Sequence, residues 1–158
     1  MEVASLQPGT PCVVQQLLPH RHEMLLADAV NYGPDYGQIM LTIRPGSFFC
    51  DGTEGVPAWI GIEYMAQAIS VYSGVQMRQA GEQVRIGLLI GTRRYESAVP
   101  VFALGARLTA TAKLISRESE FMYVFGCEID DGSRVLARGD IKAYRPDDLH
   151  EFLGMPKQ

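Results

Sequence analysis

Apolar and polar side chains alternate with a two-residue period through the second half of this chain. Ala106, Leu108, Ala110, Ala112 and Leu114 interleave with Arg107, Thr109, Thr111 and Lys113, and Phe121, Tyr123, Phe125, Cys127 and Ile129 repeat the period. Asp130-Asp131-Gly132-Ser133 is a hairpin signal, and Val135, Ala137, Gly139, Ile141 and Ala143 form the next inward row. Residues 84–95 supply an earlier strand. In the first half, residues 24–30 and 38–44 predict a hairpin around the turn 31–37, preceded by a short helix over 12–18 that ends at Pro19. Residues 45–55 read as an irregular loop.

Between the two halves the period changes. From Pro57 to Met77 the only charged residue is Glu63, and the run predicts one long helix with Pro57 in its first turn and Gly81 as its stop. Such a helix has about 22 residues and is roughly 33 Å long at 1.5 Å per residue. Its apolar residues surround most of the circumference, so it must be covered on several sides. The implied architecture is α+β: an antiparallel sheet curled around one long central helix. A single curled sheet cannot cover the helix completely and also pair both of its edges, which predicts a dimer.

Length and composition fit this picture. The 158 residues, 47% apolar and 20% charged, suit a single domain over 1–158, with a core of about 17–144 and a peripheral tail over 146–158. A net charge of −4 argues against a nucleic-acid partner. Cys12, Cys50 and Cys127 form no CxxC pair, which disfavours a disulfide framework or a zinc site and fits a reducing cytoplasm. The first ten residues lack the pattern of a signal peptide, and Glu63, Gln67 and Gln76 make the apolar helix a poor membrane span.

Glu63 is the residue this pattern does not explain. A carboxylate among Trp59, Ile60, Ile62, Met65, Ala66 and Ile69 is costly to desolvate as an anion, so it must be partnered, protonated or used. Gln67, one turn on, is placed to orient it or to satisfy a neighbouring strand or the dimer partner. Trp59 and Tyr64 read as core aromatics, with the wall of a ligand tunnel as the alternative. His20 and His22 form an H-x-H pair without a third ligand at metal spacing, so no metal site is expected and a turn role is preferred. Cys50 and Asp51 sit in the loop before the helix, where no local positive charge activates the thiol.

The order Pro19-His20-Arg21, an apolar strand, a glycine-containing loop, then Pro57 and Glu63-x-x-Ala66-Gln67 resembles the hotdog-fold 3-hydroxyacyl-ACP dehydratases. The stretches FFCDGTEGVPAW and GIEYMAQ are more similar to the aryl-polyene, ApeP-like branch of those enzymes. The resemblance implies a dimeric hotdog fold and a dehydratase acting on 3-hydroxyacyl thioesters of an acyl carrier protein, in fatty-acid-like or aryl polyene biosynthesis. It implies no cofactor beyond the phosphopantetheine that carries the substrate. Glu63 would be the catalytic acid, Pro57, Ala58, Trp59 and Gln67 would border the substrate, and Arg93 and Arg94 would dock the acidic carrier. Backbone N–H groups around Pro57 to Trp59 would face the thioester oxygen.

In the resembling family the glutamate works with a histidine fourteen residues earlier. Phe49 holds that position here, and no histidine occurs between His22 and His150. The resemblance therefore implies a homodimer, or a heterodimer in which a second, different hotdog dehydratase subunit donates the base. The alternatives are a non-catalytic subunit that stabilises a partner or binds acyl chains, and a hotdog thioesterase, which needs only a carboxylate and water.

Overall fold

The structure is a computed structural model that describes residues 17, 25–50, 52, 54–85 and 87–155. Six strands form one antiparallel sheet. In chain order these are β1 (Ala29–Tyr32), β2 (Tyr36–Thr42), β4 (Leu88–Ser97), β6 (Arg107–Arg117), β7 (Met122–Asp130) and β8 (Val135–Tyr144), arranged β1-β2-β6-β7-β8-β4 across the sheet. Two three-residue strands, β3 (Gly55–Pro57) and β5 (Val101–Ala103), pair separately. The long helix α1 (Gly61–Gln79) lies chiefly against β2 and β6, and a single-turn helix α2 (Leu149–Phe152) follows the last strand.

The two-residue period settles which face of the sheet meets α1. On β6, Leu108, Ala110 and Ala112 are buried while Arg107 and Lys113 are exposed. β7 and β8 add Phe125, Cys127, Ile129, Ala137 and Ile141 to the same core. Every residue of α1 from Gly61 to Arg78 is buried or half-buried, as the all-round apolar pattern requires. The helix stops where expected. Gly81 takes φ 75°, and the Glu82 N–H donates to the Met77 carbonyl at 2.8 Å, closing the last turn.

The start of the helix differs from the expectation. Pro57 ends β3, a 3-10 turn occupies Ala58–Ile60, and α1 begins only at Gly61. Pro57 pairs with Val101 at the end of a short strand, where a missing N–H is tolerated. The N-terminal hairpin is also shifted. β1 begins at Ala29, while Asn31 and Tyr32 belong to the strand and not to the turn. β2 ends at Thr42, where the Asp28 carboxylate accepts from the Thr42 N–H at 2.8 Å and pairs with Arg44 at 3.0 Å. The expected strand over 84–95 runs instead over 88–97, since residues 82–85 complete the exit from the helix, with the Arg85 N–H on the Met77 sulfur. The expected helix over 12–18, apart from the buried Leu17, lies outside the described residues, as do Met24, His20 and His22.

Helix and sheet approach closely at Gly37. A Cβ there would stand 2.4 Å from the Ala68 carbonyl oxygen and 2.6 Å from the Tyr72 nitrogen, both helix backbone. Neither can give way without moving α1. Gly37→Ala is therefore expected to destabilise the fold by about 1–3 kcal/mol, the cost of overpacking, read as a lower urea midpoint at unchanged m-value. An unchanged midpoint would show that α1 is not seated this tightly on β2.

Candidate active site

Glu63 lies in the first turn of α1, half-buried, with Gln67 directly beneath it. Gln67 is completely buried, and its amide is used at both ends: Nε2 donates to Glu63 Oε1 at 3.2 Å, and Oε1 accepts from the Leu26 N–H at 3.1 Å. One side chain thus orients the carboxylate and also satisfies a backbone N–H just ahead of β1. It holds the carboxylate and anchors the segment that leads into β1.

Glu63 borders a cavity of about 650 Å³. One wall is α1, with Ala66, Ser70 and Ser73. The other is the sheet, with Leu114 from β6, Phe125 from β7 and Ile141 and Ala143 from β8. A carboxylate at the end of an apolar cleft of this size suits a small acyl ligand. No histidine lines the cavity among the described residues.

Phe49 does not line it either. Its ring packs edge-on against Phe48 with centroids 4.4 Å apart, and both Phe49 and Cys50 lie against the core. Phe49 is also the one non-glycine residue with positive φ, 68°, among the described residues. That conformation costs a bulky side chain on the order of 1–3 kcal/mol and persists only where surrounding contacts enforce it. Asp51 is outside the described residues.

The turn before the helix departs from expectation in two ways. Trp59, read as core, is 66% exposed. In a 3-10 turn with Ala58 and Ile60 both buried, the residue between them must point outward. The Ala58 N–H, expected to face a thioester oxygen, instead donates to the Pro100 carbonyl at 3.0 Å, and the Ala58 carbonyl accepts from the Tyr95 hydroxyl. Pro57, Ala58 and Trp59 all lie outside the cavity wall. Neither the 3-10 turn nor α1 has a side-chain cap at its start; the backbone serves instead, with the Gly61 N–H donating to the Ala58 carbonyl, and Glu63 sits in the first turn, where the helix dipole favours a negative charge.

Tyr64 is core, as expected, at 2% exposure, and burial pushes its hydroxyl well above the usual tyrosine range. Burial likewise pushes Tyr95 up to about 12 and the Cys127 thiol up to about 12, which leaves Cys127 a poor nucleophile. Arg93 and Arg94 are 73% and 72% exposed; Arg94 pairs with Glu96 at 2.7 Å, and Arg93 reaches Glu118 at 4.0 Å. No cluster of three potential metal ligands occurs among the described residues, and no helix among them is long and apolar enough to cross a membrane.

An antiparallel sheet wrapped on one long helix, with a carboxylate in the helix's first turn, defines a hotdog protein. The chain belongs to the ApeP-like family, whose model, described as ApeP dehydratase, matches residues 12–154. It is similar to a chain of the ApeI:P dehydratase heterocomplex from Xenorhabdus doucetiae, at 28% identity and a TM-score of 0.82, over 92% of this chain and 99% of that one. The uncharacterised protein PH1136 from Pyrococcus horikoshii shares the fold at 14% identity and a TM-score of 0.65, covering 88% of this chain and 96% of that one. The PaaI protein of the Escherichia coli phenylacetic acid degradation operon does so at 18% identity and 0.54, over 70% and 76%. No curated protein sequence matched.

Proposed function

We propose that this chain dehydrates 3-hydroxyacyl thioesters carried on the phosphopantetheine of an acyl carrier protein, in fatty-acid-like or aryl polyene synthesis, with its base supplied by a second hotdog subunit. The observation that carries this reading is the asymmetry of the site. Glu63 is held by Gln67 at the edge of a cavity large enough for an acyl chain, while Phe49, half-buried against the core, stands at the sequence position of the expected histidine.

Dehydration removes a proton from the carbon next to the thioester carbonyl and expels hydroxide from the next carbon. An imidazole from the partner takes the proton, and Glu63 in its acid form protonates the leaving oxygen so that it departs as water. The outer edge of β4, with Leu89 and Ile90 43% and 50% exposed, is the surface on which a partner sheet would add. The similarity to a dehydratase heterocomplex supports the choice of a second, different subunit.

Carrier docking is assigned to Arg93 and Arg94, which project from that same edge strand. Charge reversal of both to Glu should raise the KM for carrier-bound substrate about five- to tenfold and leave a small thioester analogue unchanged, because only the carrier brings an acidic surface. Equal effects on the two substrates would assign the pair a structural role. The function itself is tested by assaying the chain with and without a histidine-bearing hotdog partner, as argued in the Discussion.

A further inference from the structure

The cavity bordered by Glu63 has a second polar end. Arg117, which closes β6, and Arg145, just past β8, both line it, together with Ser73 and Tyr123. Strand register brings them together. Arg117 stands opposite Tyr123, Tyr123 opposite Ala143, and the Arg145 N–H donates to the Phe121 carbonyl at 2.9 Å.

The two guanidinium carbons lie 5.4 and 5.5 Å from the centre of the same Tyr123 ring. Arg145 donates to the Tyr123 hydroxyl at 3.3 Å and to Ser73 Oγ at 3.5 Å, while Arg117 donates to the carbonyls of Ser119 and Glu120. Neither has a carboxylate within ion-pair distance among the described residues. Arg85, on the same cavity, differs: it pairs with Glu82 at 2.8 Å. Two positive charges held near one ring repel each other, and an anion bound beside both reduces that repulsion. Their field reaches the cavity wall, since both arginines favour the ionised form of Tyr72 against the larger, opposing effect of its burial.

Ser73, which Arg145 contacts, follows Glu63 by ten residues and so lies about 15 Å along the helix from the carboxylate's position. Leu114, Phe125, Ile141 and Ala143 form the apolar wall of the cavity that contains both ends. The geometry points to a recognition site for the substrate's own oxyanion: Arg117 and Arg145 bind a phosphate or carboxylate attached to the thioester chain, at the opposite end of the cavity from Glu63. This rests on the thioester reading above. The oxyanion is either the phosphate of the phosphopantetheine arm or an acidic group at the far end of the acyl chain; a guanidinium pair recognises both in the same way.

The test is equilibrium binding, so its outcome is independent of turnover. The full chain, in the assembly in which it purifies, is titrated with three unreactive thioether analogues: acyl-phosphopantetheine, acyl-pantetheine, and acyl-pantetheine whose acyl chain ends in a carboxylate. One of the two anionic analogues should bind at least about tenfold more tightly than the neutral one, as expected for charge-assisted hydrogen bonds, and added salt should narrow the gap. A gain for the phosphate assigns the site to the carrier arm; a gain for the terminal carboxylate assigns it to the acyl tail. Arg117→Gln with Arg145→Gln should reduce the preferred analogue to the affinity of the neutral one while leaving the neutral one unchanged, and the double lysine variant should restore part of the preference. The single glutamine variants, read in the same way, serve if the double variant does not fold. The inference is overturned if neither anionic analogue binds more tightly than the neutral one, or if the preference survives both glutamine substitutions. An anion preference without dehydration by any assembly would keep this site and reject the dehydratase reading.

Discussion

Glu63→Gln should abolish dehydration in the active assembly, by about 10²–10⁴-fold in kcat, the usual contribution of a positioned general acid, while the fold survives. The amide is nearly isosteric with the carboxylate, and its oxygen can still accept the hydrogen bond that Gln67 Nε2 donates to Glu63 Oε1 at 3.2 Å. What is lost is the transferable proton. Thermal unfolding should therefore hardly change, and substrate-analogue affinity should fall far less than kcat, the signature of an interaction made chiefly in the transition state. Gln67→Ala offers a contrast within the same site. It removes the Leu26 contact as well as the Glu63 contact from a completely buried position, so stability and activity should fall together. Full turnover by Glu63→Gln would leave Glu63 as a helix-positioning residue only.

The sheet was readable wherever its period was local. The rows Leu108-Ala110-Ala112 and Phe125-Cys127-Ile129 fall on the buried face as the alternation requires, and the 130–133 turn stands where Asp131 accepts from the Ser133 and Arg134 N–H groups. The pair β3 and β5 was not readable, because three residues contain no period and Val56 meets Phe102 across a long stretch of chain. Trp59 was misread for a related reason. In an unbroken apolar run, side-chain direction depends on whether the turn is α or 3-10, and that is decided by the tertiary contact of Ala58 with Pro100. In the site, the spacing of Glu63 and Gln67 announced their contact, since residues four apart on a helix are neighbours. The opposite wall is contributed by the ends of β6, β7 and β8, so the meeting of Arg117, Tyr123 and Arg145 follows from strand register and carries no mark in any short motif.

The larger expectation concerns the base. Dehydration needs a group that removes a proton next to the thioester at neutral pH, and imidazole is the side chain whose ordinary pKa suits that task. The cavity wall contains none among the described residues, and Phe49 presents an aromatic ring to the core where the resembling enzymes carry their histidine. Phe49 keeps a left-handed backbone, which a bulky residue adopts only where surrounding contacts enforce it. Alone, the chain should bind acyl thioesters yet dehydrate them slowly or not at all. With a hotdog partner that supplies a histidine across the β4 edge, activity should appear. Replacing that histidine should then be as damaging as Glu63→Gln, and the double variant little worse than either single one, because acid and base act as a unit.

The most direct measurement is the rate at which purified chain converts a 3-hydroxyacyl-carrier substrate, first alone and then titrated with a histidine-bearing hotdog partner. The account predicts a rate near background for the chain alone, rising with partner to saturation at a fixed stoichiometry. It is contradicted if the pure chain dehydrates the substrate at full rate whatever the partner concentration, or if the chain alone only hydrolyses acyl thioesters, which would make it a thioesterase.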